Sequence, residues 1–198
     1  MRKWLIQAII SIFSSGIEST FCISQDHGKT HRLETGQQDF SKVQPNEIQL
    51  MLQIRFAGKS DLNQLVDLCE AHAAYEKAVY DSSGKAIQLE KDLFAVPPKL
   101  YCLVAASDNQ LLGFATYMKQ YATWDACEYI YMDCLFLKAD ARGQNIGTLL
   151  IDRIKQEAQN LKCSLIQWQT PAFNAGAIRF YKRIGATSKS KERFFLEV

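Results

Sequence analysis

Regular hydrophobic periodicity begins at Leu52, where apolar residues alternate with polar ones. Leu52, Ile54 and Phe56 occupy every second position, which is typical of a half-buried strand. The period then changes to that of a helix, and we expect Ser60 to cap that helix. Its apolar positions are Leu62, Leu65, Val66, Cys69 and Ala73.

Further periodic segments follow as far as the C-terminus. They predict a short helix over 86–94, strands over 100–106 and 111–119 joined as a hairpin, a long strand over 127–137, a helix from Asn145, a strand over Ser164–Thr170, a helix over Asn174–Ile184 and a last strand over 193–198. The order is therefore βααβββαβαβ. It predicts the α/β (α+β) class, with a mixed, mostly antiparallel central sheet flanked by helices.

Residues 1–50 differ from the rest of the chain. A basic start and the apolar run "WLIQAIISIF" resemble a signal peptide, although no small-x-small cleavage site follows. The polar stretch 18–49 has no periodicity. We expect 1–50 to be an arm, either poorly ordered or an accessory helix, and 51–198 to be the domain. Met51 could itself be the native start, which would make the arm an artefact of the gene start.

Composition narrows the function classes. The 198 residues suit one domain, and a formal net charge of +2 gives no electrostatic case for nucleic acid. No apolar run approaches the ~20 residues of a membrane span. Six dispersed cysteines without a Cys-x-x-Cys pair indicate reduced thiols in a cytosolic protein. His27 and His31 have no further ligands nearby in sequence, so we predict no metal site.

The segment "ADARGQNIGTLLIDRIKQEAQ" joins a turn with two glycines to an amphipathic helix. The first N–H groups of a helix lack internal partners and carry partial positive charge, so they bind anions. Gly143 and Gly147 leave room for close approach to the backbone, and Arg142 adds a charge. We therefore predict a diphosphate site. A P-loop is excluded because Thr148, not lysine, follows Gly147.

Two motifs carry a resemblance to a known family. "RGQNIG" at 142–147 resembles the Gln/Arg-x-x-Gly-x-Gly/Ala acetyl-CoA motif of the GNAT N-acetyltransferases, and "NAGAIRFYKRIGA" at 174–186 resembles their second motif. The order of elements over 52–198 is similar as well. The segments "YCLVA", "GFATY", "YMDCLFL" and "FYKRIGA", together with Trp124, are similar to the diamine and spermidine/spermine N-acetyltransferase branch. Asn145 replaces a usual glycine, and because asparagine tolerates left-handed backbone we expect the loop to be preserved.

The resemblance implies an acetyl-CoA site and two catalytic groups. The backbone N–H of Leu135 is our candidate for the oxyanion donor, and Tyr181 resembles the family's general acid. The residues expected to hold the cofactor are Leu135, Phe136, Leu137, Arg142, Gly143, Gln144, Asn145, Ile146, Gly147, Thr148, Asn174 and Tyr181.

Acetyl transfer also requires the substrate ammonium to lose a proton. Asp133, directly or through water, is the candidate base, and Glu128 is the alternate. Asp133 is also the candidate anchor for a bound cation. An acidic, aromatic mouth for the amine is predicted from Tyr75, Glu76, Trp124, Asp125, Glu128 and Asp133.

The predicted function is that of a cytosolic, acetyl-CoA-dependent N-acetyltransferase acting on a small diamine- or polyamine-like primary amine. Two alternatives stay open: an acetyltransferase for a protein, peptide or aminoglycoside amine, and a non-catalytic acyl-CoA-binding module. We also expect a homodimer, because related enzymes commonly pair and the strand predicted over 193–198 offers an edge to share.

Overall fold

The computed structural model describes residues 52–198, so the predictions for residues 1–50 lie outside the described residues. Within that range, no helix is long and apolar enough to cross a membrane. The elements are β1 (Gln53–Phe56), a 3₁₀ turn (Lys59–Asp61), α1 (Leu62–Tyr75), α2 (Lys85–Leu93), β2 (Tyr101–Ser107), β3 (Gln110–Ala122), β4 (Cys127–Leu137), a second 3₁₀ turn (Ala139–Ala141), α3 (Ile146–Asn160), β5 (Ile166–Gln167) and α4 (Ala175–Arg183).

The strands form one sheet in the order β1-β2-β3-β4-β5. Each of the first four strands runs antiparallel to its neighbour, and β5 pairs with β4 in parallel. The predicted fold class, a mixed and mostly antiparallel sheet flanked by helices, is confirmed. The predicted hairpin between β2 and β3 is also present, and its turn residues Asp108 and Asn109 have φ values of 50° and 63°. Two successive residues with positive φ match the twist of the flanking strands.

Helices cover both faces of the sheet and create two apolar cores. On one face α3 packs through Leu150 and Ile154, which are fully buried, and α4 packs beside it. On the other face α1 packs through Leu65 and Leu68 and is joined by α2. Buried β2 and β3 side chains contribute to both cores because successive strand residues point to opposite faces.

Helix α1 begins at Leu62, so the prediction that Ser60 caps it is wrong. Ser60 lies in the 3₁₀ turn, and Asp61 precedes the helix. The Asp61 carboxylate accepts hydrogen bonds from Arg55 Nη1 at 2.6 Å and Nη2 at 2.9 Å, and from the Gly58 N–H at 2.7 Å. A buried carboxylate requires such partners, and this ion pair connects β1 to the residue directly before α1.

The last two predicted strands are the main errors in the fold. The strand expected over Ser164–Thr170 covers only Ile166–Gln167, and residues 193–198 form no strand. Phe194 and Phe195 are 89% and 80% exposed. Alternation of side chains is not sufficient for a strand, because the backbone also needs a neighbouring strand. Among residues 52–198 the segment 193–198 pairs with none.

Candidate active site

Strand β4 contains a bulge in its second half. Thr116 of β3 lies opposite Cys134, whereas the next β3 residue, Tyr117, lies opposite Met132. Asp133 is therefore an extra residue that no β3 residue opposes. A bulge of this kind bends the strand and reverses the alternation of its side chains and backbone groups.

The bulge decides which backbone groups of β4 point away from β3. The Ile130 N–H donates to Leu165 on the β5 side at 3.0 Å, whereas the Lys138 N–H donates to Leu112 of the β3 side at 2.9 Å. Along a strand, successive N–H groups point alternately to the two neighbouring strands. Ile130 and Lys138 are an even number of residues apart, so without the bulge their N–H groups would point to the same side. After the bulge it is therefore Leu135 that directs its N–H away from β3.

That N–H group points into a gap beside β4. Strand β5 pairs with β4 only at Ile130 and Tyr131. Beyond them, the half of β4 after the bulge has no neighbouring strand on this side within residues 52–198. On this side the Leu137 carbonyl accepts a hydrogen bond from Arg142 Nε at 3.0 Å. The gap therefore offers strand-like hydrogen-bonding groups to an extended ligand.

The bulge also places the acidic side chains of β4 on opposite faces of the sheet. Asp133 and Cys134 both lie on the face covered by α1, where Cys134 packs against the core of that helix. Glu128 has the same parity as Ile130, whose side chain is buried in the α3 core, so Glu128 lies on the opposite face. There it forms an ion pair with Lys119. The two candidate bases are therefore on different sides of the sheet.

The loop before α3 exposes a row of backbone donors. Gly143 and Asn145 both have left-handed backbone, with φ values of 80° and 64°, which confirms the expectation for Asn145. The first backbone bonds of the helix come from Thr148 and Leu149, which donate to the Asn145 carbonyl at 3.0 and 3.2 Å. Within the described residues, the N–H groups of 143–147 donate no hydrogen bond. Such a row is a cradle for an anion.

Gly147 has a packing role that the sequence analysis did not predict. A Cβ atom placed there would lie 3.2 Å from the Phe180 ring of α4. The missing side chain therefore allows α3 and α4 to pack closely. At Gly143, in contrast, no heavy atom lies within 4 Å of the Cβ position, and the glycine is needed for its positive φ.

A chain of contacts crosses from this loop to α1 and α4. The Arg142 guanidinium lies 4.4 Å from the centre of the Tyr75 ring. The Tyr75 hydroxyl donates to Asn174 Oδ1 at 3.2 Å. The same oxygen accepts from the Ala177 N–H at 3.1 Å, so Asn174 is the N-cap of α4.

Most of the predicted site residues line one open cavity of about 1320 Å³. They are Tyr75, Glu76, Asp133, Leu135, Phe136, Leu137, Arg142, Gly143, Asn145, Ile146, Gly147, Thr148, Asn174 and Tyr181. Four others lie outside it: Gln144, Trp124, Asp125 and Glu128. Gln144 Nε2 donates to the Asp140 carbonyl at 2.8 Å, and Trp124, in the turn between β3 and β4, is 100% exposed.

Tyr181 is held by aromatic packing. Its ring centre lies 5.1 Å from that of Trp168 and 5.3 Å from that of Phe180. Burial, with a smaller contribution from the nearby Glu76 carboxylate, raises the pKa of Tyr181 to about 12. The hydroxyl therefore keeps its proton at neutral pH and is available as a hydrogen-bond donor.

Sequence reasoning missed His72, which lines the same cavity. Its Nε2 lies 3.4 Å from Glu76 Oε1. Burial lowers the pKa of His72, and the Glu76 carboxylate opposes that shift. The available signal was the i, i+4 spacing of His72 and Glu76, which places both on one face of a helix. The sequence also gave no reason to include Lys85 and Arg193, which line the cavity too.

Comparison with known proteins identifies the family. Residues 65–186 match the family model described as acetyltransferase (GNAT) family. Thialysine N-epsilon-acetyltransferase of Mus musculus is 26% identical over 151 residues, which cover 72% of this chain and 88% of that protein. Spermidine/spermine N(1)-acetyltransferase-like protein 1 of Homo sapiens is 27% identical over 147 residues, 71% of this chain and 21% of that protein.

Solved structures have the same fold. An integron cassette protein from the mobile metagenome of V. cholerae aligns with a TM-score of 0.63 and 28% identity, covering 75% of this chain and 93% of that one. An aminoglycoside N-acetyltransferase in complex with CoA aligns with a TM-score of 0.64 and 17% identity, covering 74% of this chain and 94% of that one. Because the family model matches more than half of this chain, the chain belongs to the GNAT family and is an N-acetyltransferase.

Proposed function

We propose that this enzyme transfers the acetyl group of acetyl-CoA to a primary amine of a small cationic substrate of the diamine or polyamine type. The observation that carries the proposal is the shared cavity. Its wall contains both the row of N–H groups at 143–147, which have no partner among residues 52–198, and the carboxylates of Glu76 and Asp133. One end suits a diphosphate and the other attracts an ammonium group.

The residues present fit acetyl-CoA. The N–H groups of 143–147, with the Arg142 guanidinium beside them, would hold the diphosphate, and the gap along β4 would hold the extended pantetheine arm. When bound, acetyl-CoA supplies the acetyl group as an activated thioester. The Leu135 N–H would donate a hydrogen bond to a carbonyl oxygen in the gap, and a preorganised donor of this kind contributes roughly 10²–10³ in rate.

Two side chains of the cavity complete the assignment. Tyr181 lies on α4, keeps its proton at neutral pH and would donate it to the departing thiolate. Asp133 is exposed to the cavity at the bulge of β4 and would attract the substrate ammonium group. Glu128 has no part in this proposal, because its side chain lies on the other face of the sheet and is paired with Lys119.

A second substrate class has its own supporting observation. Lys85, Lys191 and Arg193 line the same cavity as the two carboxylates, so an amine that also bears a carboxylate would find a partner for each charge. The relatives point in both directions, because their names include thialysine, spermidine/spermine, L-ornithine and D-amino-acid acetyltransferases.

The test is a panel of amines incubated with acetyl-CoA and scored by thiol release. The panel contains diamines, polyamines, lysine and thialysine analogues, aminoglycosides and a lysine-containing peptide. The proposal requires the highest kcat/KM with diamines or polyamines. A preference for amino acids selects the second class, a preference for peptides or aminoglycosides contradicts both, and no thiol release with any amine refutes amine acetylation altogether.

We also propose that the enzyme is a cytosolic homodimer. Five cysteines of the described residues are free thiols, which suits a reducing compartment. The apolar side chains of Phe194, Phe195 and Leu196 are exposed, and a second copy of the chain would cover them. Light scattering after size exclusion should give twice the chain mass, and replacing both phenylalanines by serine should give the monomer mass. A wild-type monomer would contradict this proposal.

A further inference from the structure

We propose that His72 is the proton acceptor of the reaction, the group that removes the proton from the substrate ammonium before the amine attacks. The inference rests on the proposed function and deepens it. It assigns to a histidine of α1 the role that the sequence suggested for Asp133 or Glu128. Asp133 then acts as the counter-charge that holds the ammonium beside the imidazole.

The position of His72 supports this role. Its imidazole stacks on the Phe136 ring, with ring centres 5.1 Å apart and planes 25° apart. It is nearly perpendicular to the Phe114 ring, whose centre lies 6.2 Å from that of the imidazole. Phe136 directly follows Leu135, whose N–H points into the gap expected to hold the thioester. His72 lines the cavity with Tyr181 and is 16% exposed, so solvent and ligands reach it while packing fixes its orientation.

Three charged groups from three segments surround the imidazole. Glu76 approaches from the C-cap of α1, Asp133 from the bulge of β4, and Arg142 from the loop before α3, while β3 contributes the uncharged ring of Phe114. Burial lowers the pKa of His72 most strongly, Arg142 lowers it further, and the two carboxylates raise it, with a net shift below the ordinary 6.5. The side chain is therefore neutral at pH 7 and has a lone pair to accept a proton.

The chemistry favours an imidazole over a carboxylate here. In model compounds the pKa is about 6.5 for imidazole and about 4 for a carboxylic acid, so imidazole is the better acceptor for the proton of an ammonium group. In the step, one N–H bond of the ammonium breaks, its electron pair stays on the amine nitrogen, and an N–H bond forms on the imidazole. The carboxylate 3.4 Å from Nε2 favours the tautomer with hydrogen on that nitrogen, which leaves Nδ1 to accept.

Glu76 stabilises the product of this step. The transferred proton makes His72 an imidazolium, and the Glu76 carboxylate pairs with the new positive charge. The enzyme regains its starting state when the imidazolium releases the proton to water.

The first experiment compares His72→Phe and His72→Gln with the wild type. His72→Phe keeps a ring that stacks on Phe136, so it separates packing from proton transfer. With the best amine of the panel, we expect both variants to lose on the order of 10²–10⁴ in kcat while the KM for acetyl-CoA changes little. The wild-type kcat/KM should rise with pH through the pKa of the free imidazole, and that limb should be absent in both variants. His72→Phe with wild-type kcat would overturn the proposal.

The second experiment needs no turnover. The imidazole pKa and tautomer of His72 are measured by NMR in the ligand-free enzyme, with the His72→Phe spectrum identifying its signals. Glu76→Gln removes an attraction that raises this pKa, so the NMR titration should move to lower pH. The acidic limb of kcat/KM should move by the same amount. If the titration moves and the limb does not, His72 is only structural and the proposal fails.

Failure of the proposed function is a separate result. If no amine in the panel causes thiol release by the wild-type enzyme, amine acetylation itself is refuted and the proton-acceptor role falls with it. If thiol release occurs but the acidic limb of kcat/KM is the same in the wild type and in His72→Phe, only the inference on His72 is overturned.

Discussion

The two ends of the cavity are built from different parts of the chain. The end expected to bind the diphosphate consists of main-chain N–H groups from one short loop, 143–147. The end expected to bind the amine consists of side chains from segments far apart in sequence, including Glu76 just after α1, Asp133 of β4 and Tyr181 of α4. The first depends on local backbone conformation, whereas the second depends on how the helices pack on the sheet.

This difference determines which mutations each end can tolerate. In the loop, a side chain matters mainly through the backbone angles it permits, so Asn145 replaces the usual glycine without loss of the left-handed conformation. At the amine end the functional atoms are in the side chains themselves, so a conservative replacement there removes chemistry and leaves the fold in place.

The largest effect is expected from Tyr181→Phe. Loss of the hydroxyl should lower kcat by on the order of 10²–10⁴, while the Kd for CoA stays within a factor of two because the loop is untouched. Steady-state kinetics and calorimetry with CoA measure the two quantities. Phe180→Leu, a change in the neighbouring aromatic residue, is the control for packing. A Tyr181→Phe variant with wild-type kcat would remove Tyr181 from the proposed chemistry.

The loop is tested by Gly143→Ala. Left-handed backbone costs a residue with a side chain about 1–2 kcal/mol more than glycine, so we expect the Kd for CoA to rise about ten-fold as the cradle distorts. Gly185→Ala is the matched control, because Gly185 has φ of 89° but lies after α4 and does not line the cavity. Equal CoA affinity in Gly143→Ala and the wild type would argue against the cradle.

A smaller effect is expected from Asp133→Asn. The change keeps the shape of the side chain and removes its charge, so the KM for the amine should rise about five-fold, corresponding to about 1 kcal/mol for an exposed charge pair. The effect should shrink at high salt because exposed charges are screened. If instead kcat collapses and the acidic limb of the pH profile vanishes, then Asp133 is the base and His72 is not.

The smallest effect is expected from Glu128→Gln. The side chain lies on the face opposite the cavity, so kcat and KM should both stay within a factor of two, and stability should fall by at most about 1 kcal/mol with the loss of the surface ion pair to Lys119. Kinetics and thermal unfolding measure this. A large loss of kcat would contradict this placement and would make Glu128 part of the chemistry.

The backbone end of the site could be predicted from sequence because a short motif carries its conformation. "RGQNIG" combines a residue free to take positive φ, a second residue that tolerates it and a following helix, and all three are found in the structure. The N-cap role of Asn174 could be predicted for the same reason, since a cap involves residues three apart in the chain.

The side-chain end could not be predicted in the same way. The bulge at Asp133 depends on the register between β3 and β4, and one extra residue decides that Asp133 faces α1 while Glu128 faces away. The spacing of His72 and Glu76 was visible in the sequence, but their cavity forms only when α1 packs across the sheet. The packing of Gly147 against Phe180 could not be predicted either, because that contact joins residues more than thirty positions apart.

The sequence by itself thus determined most of the helices and strands, the backbone conformation of the loop before α3 and the family to which the chain belongs, because each of these follows from neighbouring residues or from a contiguous motif. Only the tertiary structure decided which acids share the cavity, that a histidine joins them, and that the segments after α3 form little strand. Those outcomes depend on strand register and on contacts between distant segments, which no local pattern of hydrophobic and polar residues specifies.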